Sequence, residues 1–138
     1  MFGCNIRLQG KHIFGTYIRN IIEEVIGMDV CVDYKIIAVD FDGTLCFSDW
    51  PALGEPNTPL IKYLLKEKAS GSKIILWTCR AGQALMDATK WCAGYGLEFD
   101  AINDNLPEVV ELYGNNSRKI TCDIYIDDKS ILPDAVGM

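Results

Sequence analysis

Short apolar runs without polar alternation constrain the fold of this chain more than any other feature. Ile36–Val39 and Ile74–Trp77 are entirely apolar, and a weaker form of the pattern recurs at Phe99–Ile102 and Ile124–Ile126. A strand of a parallel sheet is buried on both faces and has this pattern, whereas a strand with one solvated face alternates. We therefore expect a sheet that is covered on both sides.

Helical spacing of apolar residues separates these runs. It is found in Thr58–Ala69, in Ala81–Ala93 and, over a shorter length, in Pro107–Tyr113. Strands that alternate with helices predict an α/β fold: a three-layer, doubly wound (Rossmann-like), mostly parallel sheet. In such sheets ligands bind beyond the carboxyl ends of the strands, so the residues that follow each strand are the most informative.

Length and charge exclude several classes of protein. The chain has 138 residues, which suits one compact domain. Its apolar runs are far shorter than the roughly 20 residues of a membrane-spanning helix, so no membrane association is expected. The net charge of −6 argues against nucleic-acid binding, because that affinity comes mainly from basic side chains on phosphates.

Cysteine usage points to a cytoplasmic protein, and histidine usage excludes one kind of zinc site. The 6 cysteines contain no Cys-x-x-Cys pair, and no secretory signal is recognised, so we expect buried, reduced thiols. His12 is the only histidine, which excludes a zinc helix with two histidines.

An N-terminal extension, residues 1–33, precedes the expected catalytic domain of residues 34–138. Apolar pairs from Ile13/Phe14 to Val25/Ile26 predict an amphipathic helix over about residues 12–27, ending at Gly27. Two interpretations stay open: the helix packs on its own domain, or it binds a partner and forms a homo-oligomer. Met28 is a candidate for an alternative translation start.

Carboxylates gather at two strand ends. The first strand is followed by Asp40-Phe41-Asp42-Gly43-Thr44, and the last by Asp127-Asp128. A turn explains Asp42-Gly43 but not a charged Asp40 directly after four apolar residues. Close carboxylates repel unless a cation offsets them, and oxygen ligands without His or Cys are typical of Mg²⁺. Asp40, Asp42, Asp127 and Asp128 are therefore candidate metal ligands.

Two further positions suggest an anion next to these acids. Thr78 follows the second long strand, where its hydroxyl either caps the next helix or binds an anion. Arg118-Lys119 is a basic pair ahead of the last strand. Lys119 is a candidate phosphate ligand, with a solvated surface lysine as the alternative.

The series Asp40-x-Asp42-Gly43-Thr44, Thr78, Lys119 and Asp127-Asp128 resembles the haloacid dehalogenase-like (HAD) hydrolase superfamily over about residues 34–133. The resemblance implies that Asp40 is the nucleophile that forms an aspartyl-phosphate and that Asp42 is the general acid and base. It makes Thr78 and Lys119 the phosphate ligands, with Lys129 as a rival to Lys119.

The resemblance also implies how the metal is held and which reaction is catalysed. Mg²⁺ would contact Asp40, the backbone carbonyl of Asp42, and Asp127 or Asp128. A second aspartate in the first motif goes with phosphoryl transfer rather than dehalogenation.

Larger members of the superfamily have a cap domain, for which the intervals after Thr44 and after Thr78 are too short here. The chain resembles a capless member, in which Cys46–Pro51 would form a small flap. Trp50 and Phe47 are candidates for stacking on a substrate ring, and a core contact is the alternative for Phe47. Arg80 and Asn103 are further candidate substrate contacts.

The sequence therefore predicts a cytoplasmic, Mg²⁺-dependent phosphohydrolase that cleaves a phosphomonoester of a small metabolite or nucleotide. Two alternatives come from other classes. A signalling receiver domain also uses acids, Thr, Lys and Mg²⁺, but has its acidic pair after the first strand. A catalytically idle binding module would act through the N-terminal helix.

Overall fold

The computed structural model describes residues 32–137, so the helix expected at 12–27 lies outside the described residues. The strands are β1 (Ile36–Val39), β2 (Cys46–Phe47), β3 (Glu55–Pro56), β4 (Lys73–Leu76), β5 (Ala101–Ile102) and β6 (Ile124–Ile126). The helices are α1 (Thr58–Ala69), α2 (Gly82–Gly94) and α3 (Pro107–Tyr113), followed by a 3₁₀ turn at Pro133–Ala135.

A four-stranded parallel sheet forms the centre of this α/β fold, with the strand order β5-β4-β1-β6. β1 pairs with β4 on one side and with β6 on the other, with Val39 opposite both Leu76 and Ile126. β2 and β3 form a separate antiparallel hairpin. The chain therefore brings the carboxyl ends of its first and last strands side by side.

Both faces of β1 are buried, which explains the absence of alternation in this strand. Ile37 and Val39 belong to one apolar cluster, which includes residues of α1 and α2, and Ile36 and Ala38 belong to another, which includes Val109 of α3. No β1 residue is more than 2% exposed. Burying each isoleucine contributes about 1.5–3 kcal/mol to stability.

The helix and strand bounds agree closely with the expected ones. α1 and α3 have the expected bounds, and α2 begins one residue later. The strand expected at Phe99–Ile102 is shorter, because Asp100 Oδ2 accepts a hydrogen bond from Ile74 N at 2.8 Å. Asp123 does the same for Ile36 N at 2.8 Å. These two carboxylates lie at the amino ends of β4 and β1, away from the candidate site.

The thiols differ in part from the expectation of burial. Cys46 and Cys92 are free and buried, and Cys122 is free and partly buried, but Cys79 is free and exposed because it follows β4 in a surface loop. In residues 32–137, the helices are too short or too polar to cross a membrane.

Candidate functional site

Three carboxylates meet at the carboxyl ends of β1 and β6. Asp40 follows β1, and Asp127 and Asp128 follow β6. The backbone N–H of Asp40 donates to Ile126 O at 2.9 Å, which fixes the two strand ends together. One carboxylate oxygen from each residue lies within 4.8 Å of the others. We call Asp40, Asp127 and Asp128 the acidic cluster.

The surroundings of Asp40 in the acidic cluster disfavour its charged form. Burial, together with the charges of Asp127 and Asp128, raises the pKa of Asp40 to about 6. Hydrogen bonds from Phe41 N and the Thr44 hydroxyl act in the opposite direction. A divalent cation would offset this repulsion, and carboxylate oxygens are typical ligands of hard cations such as Mg²⁺.

Thr44 connects the two halves of the cluster. Its hydroxyl donates to Asp40 Oδ2 at 3.2 Å and accepts from Asp128 N at 3.1 Å, and the residue is only 5% exposed. Gly43 beside it has φ +75°, and a Cβ there would overlap Asp128 Oδ2. Sequence reasoning used Gly43-Thr44 only as part of a motif and missed this bridging role.

Asp42 lies outside the acidic cluster because Arg80 binds its carboxylate. Arg80 Nε donates to Asp42 Oδ2 at 2.9 Å, and Arg80 Nη2 donates to Asp42 Oδ1 at 2.7 Å. Arg80 is only 1% exposed. The sequence suggested Arg80 as a substrate contact. The structure instead buries its guanidinium against Asp42, because Arg80 follows β4, which is the neighbour of β1.

The hairpin of β2 and β3 carries the aromatic residues expected in a flap. Trp50 is 61% exposed, and its ring centroid lies 4.8 Å from Arg80 Cζ. Phe47 is 50% exposed, so the alternative of a core contact is wrong for it. Both rings therefore stay accessible to a ligand.

Thr78 and Asn103 organise the loop after β4. Thr78 Oγ1 accepts from Arg80 N at 3.1 Å, and Thr78 N donates to Asn103 Oδ1 at 2.8 Å. The helix-cap interpretation of Thr78 is wrong, because Ala81 caps α2 without a side-chain hydrogen bond. Asn103, expected as a substrate contact, uses its amide to hold this loop and has φ +51°.

Lys119 lies in the loop ahead of β6, and a buried asparagine shapes this loop. Asn105 Nδ2 donates to Asn116 Oδ1 at 2.8 Å and to Ser117 O at 2.9 Å, while its Oδ1 accepts from Thr121 N at 2.7 Å. Asn105 is 4% exposed. It gave no periodic or motif signal, so sequence reasoning missed it.

The two candidate lysines differ in their surroundings. Lys119 is exposed, and its carbonyl accepts from the Ser117 hydroxyl at 2.8 Å. Lys129 is also exposed, and its backbone N–H donates to Asp127 Oδ1 at 2.9 Å. Within residues 32–137 neither ammonium group forms an ion pair. The assignment of Lys119 to phosphate stays a prediction.

An open pocket of about 370 Å³ lies elsewhere, between α3 and the loop shaped by Asn105. None of the candidate catalytic or metal-binding residues lines it. The candidate site is therefore assigned from the chemistry of the acidic cluster.

Comparison with known proteins gives one informative match. No protein-family model and no curated protein matches the chain. A solved structure, described as the conserved protein coded by a locus from Bacteroides thetaiotaomicron, is 36% identical with a TM-score of 0.63. The match covers 72% of this chain and 79% of that chain. At this identity and coverage, the chain belongs to the same family as that conserved protein.

Proposed function

We propose that this protein is a Mg²⁺-dependent phosphohydrolase that cleaves a phosphomonoester of a small metabolite or nucleotide. The observation that carries the proposal is the acidic cluster at adjacent carboxyl ends of parallel strands. We also propose the finer fold assignment: a three-layer, doubly wound core of the HAD-like type, without a cap domain. The two apolar clusters on the faces of the sheet support it.

The metal would be held by Asp40, Asp127 and Asp128 together with the backbone carbonyl of Asp42. When bound, Mg²⁺ supplies positive charge that offsets the carboxylates and the phosphoryl oxygens. Thr44 keeps Asp40 and the backbone of Asp128 in place, so the ligands are ordered before the ion arrives. This preorganisation supports the assignment of the cluster to a cation.

Asp40 would act as the nucleophile and Asp42 as the acid and base. A carboxylate oxygen of Asp40 attacks phosphorus and the ester bond breaks. Asp42 enters this step as the carboxylic acid, gives its proton to the leaving oxygen and becomes the carboxylate that Arg80 binds. Asp42 then takes a proton from water, which attacks the aspartyl-phosphate and releases inorganic phosphate and the free Asp40 carboxylate. Thr78 and Lys119 would bind the phosphoryl oxygens throughout.

Release of inorganic phosphate from a panel of phosphomonoesters tests this function. We expect wild-type turnover with Mg²⁺ and none with EDTA. Asp40→Asn keeps the shape of the side chain but removes the nucleophile, so turnover should fall about 1000-fold or more. Asp134→Asn, which neutralises an exposed acid in the 3₁₀ turn, is the matched control and should stay active. Turnover that survives both EDTA and Asp40→Asn would contradict the proposal.

A further inference from the structure

Arg80 is a buried cation that the proposed mechanism does not use. Its guanidinium contacts three separate parts of the chain. Besides the two bonds to Asp42, Nη2 donates to Ala52 O at 3.3 Å in the hairpin, and Nη1 donates to Ala84 O at 3.3 Å in α2. One side chain therefore joins the loop after β1, the hairpin and the first turn of α2.

Two aromatic rings complete the surroundings of this guanidinium. Arg80 Cζ lies 4.7 Å from the ring centroid of Phe41 and 4.8 Å from that of Trp50. Phe41, which lies between Asp40 and Asp42 in the sequence, is fully buried. Trp50 belongs to the hairpin. A guanidinium suits these contacts because it is planar, stacks on rings and presents parallel N–H groups to a carboxylate.

Resting on the proposed function, we propose that Arg80 is a positioning residue for the reaction. It aims the Asp42 carboxylate and fixes the hairpin against the loop that carries Asp40 and Asp42. Both Asp42 oxygens are bound in a fixed plane, so the direction of the acid–base group depends on Arg80. Because Arg80 is in turn held by Trp50 and by Ala52 O, the position of the hairpin is coupled to the orientation of Asp42.

Stability alone is a weak reason for this arrangement. Replacing a buried ion pair by apolar residues of similar volume is often neutral or stabilising. The position of the ion pair is more informative. Asp42 is two residues after the proposed nucleophile, and Arg80 is two residues after Thr78. A misplacement of about 1 Å at such a site lowers a rate by about 100-fold.

Kinetics of Arg80→Lys and Arg80→Ala test the proposal. Lysine keeps the charge but loses the paired N–H groups and the ring contacts, so kcat should fall about 100-fold while KM changes by less than about 3-fold. Adding millimolar guanidinium chloride should restore part of the kcat of Arg80→Ala. It should not stimulate wild type or Asp42→Asn. Thermal unfolding of each variant confirms that it is folded, and Arg80→Lys carries the test if Arg80→Ala does not fold.

Trp50 provides a matched pair of variants for the coupling to the hairpin. Trp50→Phe keeps a ring over the guanidinium and should therefore lower kcat less than Trp50→Ala does. Trp50→Ala removes the ring and should also lower kcat. The fall should be smaller than that of Arg80→Lys, because Arg80 still binds Asp42.

The outcomes separate this inference from the proposed function. If wild type is active and Arg80→Lys has the wild-type kcat, Arg80 does not position Asp42 and the inference is overturned, while the phosphohydrolase remains. A folded Arg80→Ala whose loss of kcat guanidinium does not repair also counts against it. If wild type releases no phosphate from any substrate, the proposed function fails and the inference fails with it.

Discussion

Burial and two neighbouring carboxylates disfavour the ionised form of Asp40. The effect of pH on stability therefore reports on the acidic cluster. Burial and the charges of Asp127 and Asp128 raise the pKa of Asp40 from 3.8 to about 6. A carboxyl group with a raised pKa binds its proton more tightly in the native state than in the unfolded state. Its contribution therefore favours the native state at low pH and is lost as the pH rises from about 3.8 to about 6.

Asp40→Asn should therefore stabilise the metal-free protein at neutral pH. We expect the free energy of unfolding at pH 7.5 to rise by about 1–2 kcal/mol, a value reduced for the partial exposure of the group. The gain should become smaller toward pH 4.5, where the native wild type is protonated at Asp40. Urea denaturation in EDTA at both pH values measures it, with Asp134→Asn as the control. A variant that is less stable than wild type at pH 7.5 would show that repulsion does not dominate.

Glycine is required at position 43 because the backbone there has a positive φ and because the Asp128 side chain lies close to it. Gly43→Ala places a Cβ at φ +75° and against Asp128, whereas Gly96→Ala has a similar φ of +82° with open space around it. Gly96→Ala should cost about 1–2 kcal/mol from the backbone alone. Gly43→Ala should cost at least about 1 kcal/mol more, because Asp128 must shift. Urea denaturation of the two variants measures the difference, and equal costs would contradict the close approach.

Lys119 and Lys129 can be distinguished by single substitutions. If Lys119 binds the phosphoryl group, Lys119→Ala should lower kcat/KM about 100-fold, because it removes one charged donor from the transition state. Lys129→Ala should change kcat/KM by less than about 3-fold. Steady-state phosphate release measures both variants, and the reverse result would transfer the phosphate-binding role to Lys129.

At the scale of elements, the two predicted phosphate ligands, Thr78 and Lys119, lie in loops that asparagine side chains hold in place. The loop ahead of β6 is held by Asn105, and the loop after β4 is held by Asn103 through Thr78 N and Arg80 O. Each asparagine follows β5, the edge strand beside β4. The end of β5 therefore supports the two loops that carry the predicted phosphate ligands.

Asn105→Ala tests this support. It leaves Thr121 N and Ser117 O without their buried partner, so the free energy of unfolding should fall by about 1–3 kcal/mol. Activity should fall as well, since the loop with Lys119 loses its shape. Asn115→Ala is the control in the same loop, because Asn115 is exposed and bonds only locally to Tyr113 O. Urea denaturation and phosphate release measure both effects, and an Asn105→Ala variant that behaves like Asn115→Ala would contradict the role of Asn105.

At the scale of the whole molecule, local patterns were sufficient to predict the sheet and the helices. The apolar runs predicted β1, β4 and β6, and periodicity predicted α1 and α3 with their observed bounds. The convergence of Asp40 with Asp127 and Asp128 also followed from sequence, because parallel strands end at one edge of the sheet.

Pairings between distant residues could not be predicted in this way. Arg80 and Asp42 are 38 positions apart, and only the pairing of β4 with β1 brings them together. Asn105 acts through hydrogen bonds to a loop 11 to 16 positions later, for which neither spacing nor hydropathy gives a signal. The sequence therefore predicted a substrate contact for Arg80, whereas the structure shows that its guanidinium binds Asp42.

The central claim is that Asp40 forms a covalent phosphoryl intermediate in the acidic cluster. Mass spectrometry of protein quenched in acid during turnover of a phosphomonoester tests it most directly. We expect a phosphoryl group on the peptide that contains Asp40, present with Mg²⁺ and absent both with EDTA and in Asp40→Asn. Turnover by wild type without any phosphorylated Asp40, together with undiminished turnover by Asp40→Asn, would contradict the account.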